Sequence, residues 1–357
     1  MADPKRILVV RLTAIGDVVH TLPVLSALRE HFPKSHLAWA VEGGAGSLLE
    51  DHPELDELIR LPRRWLKSPG EVLKLRRRFR AAPFDVAIDV QGLSKSAVVS
   101  LLSGAKNRIS HAHGQARELS PWIANQRVRG RREHVVDRNL ELLRPLGIHS
   151  PQVKFIVPGD MQAEGKVAQW QRAGKIPERF ALLNPGAGWP SKIWPAERFA
   201  EVAKHLGKQG LMSVVLWAGE QEKKWASQIV RQSRGHADLA PATSLRELAT
   251  LCRCATLFVA SDTGPLHLAA ATGTPCVGLF GPMPAKRNGP YGKEHIAIQQ
   301  VCLTGSSRRR RNANDSSMRA ISVEAVQAGC DQLLSQERDA RQTIPGTHIS
   351  GSQRFVA

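Results

Sequence analysis

The stretch VASDTGPLHLAAATGTPCVGLFG, residues 259–281, constrains the fold more than any other part of the sequence. An apolar run ends at a polar turn, Ser261–Gly264, and Pro265 then stands where a first helical residue tolerates a missing N–H. A short helix and a second apolar run follow. This order predicts a parallel α/β sheet, in which the start of the helix lies at the carboxyl edge and can hold a phosphate. The alternative is an ordinary turn with a surface histidine, His267.

The same order of strand, loop and helix recurs at two other places. The strand 6–12 leads into the turn 13–17, which lacks the glycine spacing of the dinucleotide fingerprint. Asp17 lies in this turn, at the sheet edge where α/β proteins place their functional groups, although it can also only cap the following helix. The strand 180–184 leads into NPGAGWPSKIW, whose glycines allow a ligand to approach closely and whose Lys192 can bring a charge to a phosphate.

Repeated alternation of strands and helices over 357 residues predicts two doubly wound parallel-sheet domains. Proline and glycine residues near Pro158 interrupt the secondary structure, and they separate an N-terminal domain, 1–157, from a C-terminal domain, 158–335. An amphipathic helix is predicted over 323–334. The polar tail that follows it, 336–357, is expected to be disordered.

The charge of the chain favours a polyanionic partner. There are 50 Lys and Arg against 32 Asp and Glu, a formal net charge of +18. A nucleotide, a phosphorylated glycan, an anionic membrane surface or a nucleic acid would all fit. Basic segments lie at 60–67, 74–80 and 126–132, and four arginines at 308–311 stand in a segment expected to be mobile. Solvated surface is the alternative for each of them.

Other sequence features narrow the class of protein. A single tyrosine argues against base stacking of the RNA-binding kind. Five scattered cysteines are typical of a reducing compartment. No export signal precedes the first strand, and no apolar run approaches the roughly 20 residues of a membrane span. We therefore expect a cytoplasmic protein that can touch the inner face of the cytoplasmic membrane only peripherally.

Four stretches, in this order, carry a resemblance to one family: RLTAIGDVVHTLPVLSAL, NPGAGWPSKIWP, SDTGPLHLAAATGTPCVGLFGP and the ISVEAV helix. They are similar to the ADP-heptose:lipopolysaccharide heptosyltransferases of glycosyltransferase family 9, in particular heptosyltransferase I-like members. The resemblance spans most of 6–334. It implies a GT-B fold, in which two Rossmann-like domains face each other across a cleft.

The resemblance also implies an activity. The enzyme would be an inverting, metal-independent glycosyltransferase, without a cofactor, that moves a heptose or a related sugar from a nucleotide donor, with ADP-heptose favoured, to an inner-core lipopolysaccharide-type acceptor. The donor would bind mainly the C-terminal half, and the anionic lipid-linked acceptor the N-terminal half. The alternatives are a nucleotide-sugar epimerase of the same fold, a basic nucleic-acid-binding protein and a saccharide-binding protein without catalysis. A nucleic acid partner is not expected.

The resemblance assigns roles to individual residues, with Asp17 as the general base and no metal ligands. Residues expected at the donor are Lys192, Asp262, Thr263, Gly264 and His267 near the phosphates, Glu222 or else Glu220 at the ribose, and Thr243 near the adenine. Ala187 and Gly188 replace hydroxyl side chains found beside the phosphates in well-known heptosyltransferases, so backbone N–H groups or Ser191 would have to serve there. Residues expected at the acceptor are Arg63, Arg64 and Gln91.

Overall fold

The computed structural model describes residues 3–342 as two six-stranded parallel sheets with flanking helices, which confirms the predicted α/β class. The first sheet contains β1 (Arg6–Val10), β2 (His36–Glu42), β3 (Glu57–Leu61), β4 (Val86–Asp89), β5 (Asn107–His111) and β6 (Gln126–Val128). The second contains β7 (Phe180–Asn184), β8 (Met212–Val215), β9 (Ala237–Leu239), β10 (Leu257–Ser261), β11 (Cys276–Leu279) and β12 (Ile296–Ile298).

Helices fill the connections between the strands. Those in the first half are α1 (Ile15–Val19), α2 (Leu22–His31), α3 (Pro69–Ala81), α4 (Ser94–Leu102), α5 (Ser120–Ile123) and α6 (Val135–Leu140). Those in the second half are α7 (Met161–Arg172), α8 (Ala196–Lys208), α9 (Gly219–Gln232), α10 (Leu245–Cys254), α11 (Gly264–Ala271), α12 (Ala285–Asn288), α13 (Ser307–Arg311), α14 (Ser316–Arg319) and α15 (Val323–Gln342). Short 3-10 helices cover Gly43–Leu49, Trp65–Lys67, Glu141–Leu146 and Pro190–Lys192.

Strand β1 shows why continuous apolar runs form these sheets. Side chains alternate across a strand, so Ile7 and Val9 pack into one apolar cluster while Leu8 and Val10 pack into another on the opposite face. All four are fully buried. A parallel sheet covered by helices on both faces needs this pattern, and it explains why the strand shows no polar alternation.

Both sheets have the same strand order. The first runs β3-β2-β1-β4-β5-β6 and the second runs β9-β8-β7-β10-β11-β12, with every pairing parallel. The chain direction across each sheet reverses between the first and fourth strands, and ligands of such folds bind beyond the carboxyl ends at that point. The loops after β1 and β4, and after β7 and β10, therefore mark the two regions where function is expected.

Three predicted elements differ in the structure. The helix after the first strand is interrupted at His20–Thr21, giving α1 and α2. The sequence GGAG at 43–46 predicts a flexible turn before a helix over 47–51, but the structure has one 3-10 helix there, Gly43–Leu49. The last helix does not end at Leu334 but continues to Gln342, through SQERDARQ, which is rich in good helix formers. The rest of the predicted disordered tail, 343–357, lies outside the described residues.

The two sheet units touch directly at α1 and α11. A Cβ added to Gly16 would lie 2.7 Å from the His267 ring, and one added to Gly264 would lie 2.9 Å from the Cβ of Ile15. Glycine at both positions is what lets the two helices come this close. We call these units the first lobe, which holds β1–β6, and the second lobe, which holds β7–β12.

A second contact joins the lobes at their side. The Arg246 guanidinium on α10 donates to the backbone oxygen of Glu50 at 2.9 Å and pairs with Asp51 at 2.9 Å and with Asp160 at 3.2 Å. The two contacts together hold the carboxyl edges of the sheets toward each other. Within the described part of the chain, no helix is both long and apolar enough to cross a bilayer.

Candidate active site

The Asp17 carboxylate lies beyond the carboxyl end of β1, on the lobe contact, as the sequence predicts. Its Oδ1 pairs with the Arg11 guanidinium at 2.5 Å, and its Oδ2 accepts the N–H of Ala14 at 3.2 Å. Asp17 therefore does cap α1, yet its side chain is 43% exposed. Arg11 is nearly buried and donates to the carbonyl oxygen of Val90 at 2.9 Å. The carboxylate is thus held in a fixed orientation while part of it remains open to a ligand.

Gln91 supports the Asp17 loop from the neighbouring strand. Its side-chain oxygen accepts the N–H of Leu12 at 2.8 Å and that of Thr13 at 3.3 Å. The sequence predicted an acceptor contact, whereas this oxygen already has two backbone partners. Gln91 therefore positions the loop that carries the carboxylate, and its contact with the acceptor stays a prediction. Buried Asp89 fixes Gln91 in turn, since it accepts the N–H groups of Gln91 and Gly92.

Across the contact, Lys192, Asp262 and His267 form a buried polar chain. The Lys192 ammonium lies 2.6 Å from Asp262 Oδ2, and His267 Nε2 lies 3.2 Å from Asp262 Oδ1. Burial acts to raise the pKa of Asp262, but His267 and Lys192 outweigh it and lower that pKa. The Lys192 ammonium nitrogen also lies 4.5 Å from the centroid of the Trp189 ring, and this contact restricts the movement of the ammonium.

The start of α11 lies beside this chain. Thr263 is its N-cap, with Gly264 first in the helix, and the Thr263 hydroxyl accepts a 3.4 Å hydrogen bond from Asn184 at the end of β7. The first N–H groups of a helix have no partners within it and attract an anion. Lys192, His267 and the beginning of α11 are therefore brought together as predicted, whereas the Asp262 carboxylate is already bound to the Lys192 ammonium and the His267 ring.

Glu222 lies against the loop that follows β7. Its carboxylate accepts the N–H of Ala218 at 2.9 Å, and a Cβ added to Gly186 would collide with it. Burial raises the pKa of Glu222. Glu220, the other residue considered for the ribose, is exposed, so the structure favours Glu222 for that place. Thr243 lies half-buried between β9 and α10, in the same lobe.

Replacing Gly186 with alanine should weaken donor binding without unfolding the protein. The new Cβ meets the far end of the Glu222 side chain, which can move aside but then leaves its place on the loop. We expect the KM for the nucleotide donor to rise about tenfold, the loss of one hydrogen bond to a charged group. Steady-state kinetics with the Gly165→Ala control, whose Cβ meets nothing within 4 Å, checks this. Equal KM values in both variants would contradict it.

Ser191 does not take the role expected of it. It is fully buried in the 3-10 helix Pro190–Lys192, and its hydroxyl donates to the carbonyl oxygen of Arg311 at 3.4 Å. A phosphate beside Lys192 would therefore have to bind backbone N–H groups. Gly188 can offer one of them, because the space beside its Cα is open and a Cβ added there would meet no atom within 4 Å. The sequence could not show this burial because Arg311 is 120 residues away along the chain.

Basic side chains that sequence reasoning missed lie near Asp17. Partial burial lowers the pKa of Arg287 on α12, and the charges of Arg138, Arg310 and Arg117 lower it further while Asp17 opposes them. Nη2 of Arg138 is buried without a hydrogen-bond partner among the described residues. The sequence of 282–291 predicts only an irregular loop, and nothing local connects Arg287 to the other arginines.

Arg63 and Arg64, the arginines predicted to bind the acceptor, do not lie with the basic side chains around Arg287. Arg63 and Arg64 follow β3, and both are exposed. Neither forms an ion pair with any residue between 3 and 342. They are at the same sheet edge as Asp17 but are not part of the group around Arg287.

Three histidines meet at the lobe contact. The ring of His20 lies 4.1 Å from that of His267 and 6.0 Å from that of His134, and neither ring nitrogen of His20 has a hydrogen-bond partner in the described part. Burial lowers the pKa of His20 well below its ordinary value, and the nearby His267 and His134 add to this. His20 therefore stays neutral in the folded protein.

Acidification should destabilise the fold through two buried histidines, His20 and His111. Below about pH 6.5, His20 takes up a proton more readily in the unfolded chain than in the native state, because its pKa is lowered only in the native state. The contribution of His20 to the free energy of unfolding is therefore complete above that pH and is lost as the pH falls. Burial also lowers the pKa of His111, to about 4. We expect the free energy of unfolding to fall by up to about 1.4 kcal/mol per pH unit per histidine.

Urea unfolding at about pH 7.5 and about pH 5 measures this slope. His20→Phe should make the dependence on pH shallower than in the wild type. The exposed His149 offers a matched control, His149→Phe, which should leave the slope as it was. A His20→Phe protein with the wild-type slope would show that His20 does not contribute.

Two Rossmann-like lobes that meet at their switch points, with an anion-binding helix start on one and an open carboxylate on the other, have the architecture of the GT-B type. The family model for glycosyltransferase family 9 (heptosyltransferase) matches residues 72–317. The chain belongs to glycosyltransferase family 9. It is therefore a glycosyltransferase, which decides against the epimerase and the non-catalytic alternatives.

Individual relatives agree with the family model. The chain is 30% identical to lipopolysaccharide heptosyltransferase 1 of Salmonella typhimurium strain LT2 over 302 residues, 82% of this chain and 93% of that one. The E. coli heptosyltransferase WaaC with ADP superposes with a TM-score of 0.73 at 25% identity, covering 92% and 99% of the two chains. A family 9 glycosyl transferase from Veillonella parvula superposes with a TM-score of 0.81 at 24% identity, covering 93% and 98%. These superpositions confirm the GT-B fold.

Proposed function

We propose that this enzyme transfers a heptose from ADP-heptose to an anionic, lipid-linked inner-core saccharide of the lipopolysaccharide type. The observation that carries the proposal is the meeting, at the Gly16–Gly264 contact, of the Asp17 carboxylate with the Lys192–Asp262–His267 chain. The identity of the transferred sugar is inferred from the names of the relatives. Curated relatives are lipopolysaccharide heptosyltransferases, and WaaC, at 25% identity, was solved with ADP-2-deoxy-2-fluoro heptose.

The reaction is a single displacement. The acceptor hydroxyl attacks the anomeric carbon of the heptose, and Asp17 takes the hydroxyl proton as general base. The bond from that carbon to the diphosphate oxygen breaks at the same time, and its electron pair leaves with ADP. Attack from the side opposite to the leaving group inverts the anomeric configuration.

Lys192, the first N–H groups of α11 and His267 stabilise the charge that develops on the leaving diphosphate. Asp262 does not touch the phosphates, because a carboxylate would repel them. It holds the Lys192 ammonium and the His267 ring in place at 2.6 Å and 3.2 Å. This set of protein groups replaces the charge that a divalent cation would bring. Among residues 3–342, no group of three or more His, Cys, Asp or Glu side chains is arranged so that it could hold a metal ion, and independence from metal stays a prediction.

The lobes divide the substrates between them. The second lobe, within 158–335, binds the donor, with Glu222 at the ribose and Thr243 near the adenine. The first lobe, within 1–157, binds the acceptor. The charges of Arg117, Arg138 and Arg287 act on one another close to Asp17, so they suit the acidic groups of the acceptor. Because the acceptor is lipid-linked, the protein works in peripheral contact with a membrane.

The proposal is tested by incubating the protein with ADP-heptose and a delipidated inner-core acceptor. Mass spectrometry should show the acceptor gaining one heptose for each ADP released, and EDTA should leave the rate unchanged. Release of ADP without the glycosylated acceptor, or transfer only from another nucleotide sugar, would contradict the assignment of substrates. Loss of the reaction in EDTA, restored by Mg²⁺, would contradict the metal-free stabilisation of the diphosphate.

A further inference from the structure

Large apolar side chains are exposed together on one layer of helices. Seven such side chains are exposed among residues 3–342, and five of them belong to the 3-10 helix Trp65–Lys67, to α3, α4 and α5, or to the residue before α5. We call these elements the outer layer. The five are Leu66, Leu73, Leu101, Leu119 and Trp122. Single exposed leucines are ordinary, but a cluster with a tryptophan that is 74% exposed indicates an interaction surface.

The elements of the outer layer cover the same face of the first sheet. Trp65, Leu75, Phe79 and Val99 pack into one cluster with Leu8 and the residues beside it on that face. Helix α4 packs against α3 on one side and α5 on the other. The sides of these elements that point away from the sheet therefore form one continuous surface.

The outer layer is also strongly basic. Residues 62–81 hold eight Arg and Lys against the single carboxylate of Glu71. On α3, Leu75 and Phe79 are buried, whereas Leu73 and the arginines at 76, 77 and 80 are exposed. Residues three, four and seven positions apart share one side of a helix, so the exposed leucine and the arginines form one stripe. Arg78 alone of the eight forms an ion pair within the described part, with Glu57.

We propose that the outer layer is the surface by which this enzyme lies on an anionic lipid bilayer. Leucine and tryptophan side chains insert at the level of the headgroups, and the arginines pair with lipid phosphates. A second copy of the chain does not fit the same surface, because a two-fold contact would oppose one set of arginines to the other. Charge therefore selects the anionic membrane as the occupant.

The position of the outer layer explains what such binding achieves. The Trp65–Lys67 segment follows the carboxyl end of β3, and the ring centroid of Trp122 lies 5.1 Å from that of His113, which comes just after the carboxyl end of β5. Asp17 lies beyond the carboxyl end of β1, at the same edge of the sheet. A molecule lying on its outer layer thus keeps the acceptor side of its cleft beside the membrane surface. The inference deepens the proposed function on this point, whereas vesicle binding itself needs no transfer reaction.

The test is co-sedimentation of the full chain with sucrose-loaded vesicles. Vesicles that contain phosphatidylglycerol should carry the protein down, with less bound at high salt, and vesicles of phosphatidylcholine alone should not. The double variants Leu119→Ser/Trp122→Ser and Arg76→Glu/Arg77→Glu should each lower the partition coefficient about tenfold or more. The matched controls lie in the second lobe: Met161→Ser, which is also an exposed apolar residue, and Arg231→Glu/Arg234→Glu.

The transfer assay separates this inference from the proposed function. Leu119→Ser/Trp122→Ser should keep the wild-type rate on a delipidated acceptor and lose rate on a lipid-linked acceptor in vesicles. Outer-layer variants that sediment like the wild type, or control variants that lose vesicle binding equally, would overturn the inference even if heptose transfer is found. Salt-sensitive binding to RNA with none to vesicles would also overturn it. Vesicle binding without heptose transfer would leave the surface intact and contradict only the proposed substrates.

Discussion

Replacing Asp17 with asparagine should lower kcat by about 10²-fold or more while the affinity for ADP stays close to that of the wild type. The amide has nearly the shape of the carboxylate, and its oxygen can still accept the N–H of Ala14 that caps α1. What it loses is the capacity to take the proton of the attacking hydroxyl. Steady-state kinetics and a thermal-shift titration with ADP measure the two quantities separately.

The Asp17→Ala variant tests the same role in a second way. It removes the cap and the pairing with Arg11 as well, so it should lose at least as much activity and some stability. A variant with normal turnover would remove Asp17 from the chemistry. If kcat fell and ADP binding fell in proportion, Asp17 would be part of the fold of the cleft and not its base.

The second large effect is expected at Lys192. Changing Lys192 to methionine leaves the Asp262 carboxylate, only 6% exposed, without its cation. Breaking a pair this deeply buried costs about 3 kcal/mol or more of unfolding free energy. It also removes a charge from the place where we expect the diphosphate, so the affinity for ADP should fall about tenfold or more. Urea unfolding and ADP titration give both values.

A double variant separates these two consequences. Lys192→Met combined with Asp262→Asn leaves no unpaired carboxylate, and the new amide can still bind His267. We expect it to recover much of the lost stability but not the affinity for ADP. If ADP binding returned to the wild-type value, Lys192 would act only by neutralising Asp262. Lys192 would then not bind the donor.

The sequence predicted those parts of the site that are encoded locally. The loops at 13–17, 184–194 and 261–264 each join an apolar strand to a helix, and turn residues within the loop mark the junction. Because every parallel strand of such a sheet ends at one edge, their side chains had to converge there. That is why Lys192 and His267, which follow strands of the same sheet, could be proposed as neighbours without coordinates. Asp17 follows a strand of the other sheet, and its position facing them was implied only by the family resemblance.

Long-range contacts set the roles that the sequence could not predict. Gln91 supports the Asp17 loop through an oxygen that accepts from residues 79 and 78 positions away. Ser191 is covered by the chain near Arg311, and His20 meets His267 only because the two lobes touch. No periodicity or turn signal reports on such contacts. The length of α15 has a different cause, since the sequence of its last turns, SQERDARQ, consists of polar residues and helix formers without the apolar periodicity that reveals a helix.

The configuration of the anomeric carbon in the product tests the account most directly. It can be determined by NMR on the glycosylated acceptor and compared with that of the nucleotide-heptose supplied. One direct displacement, assisted by one carboxylate, predicts that the configuration is inverted. A retained configuration would require two successive displacements and would contradict the assignment of Asp17 as a base that acts on the incoming hydroxyl.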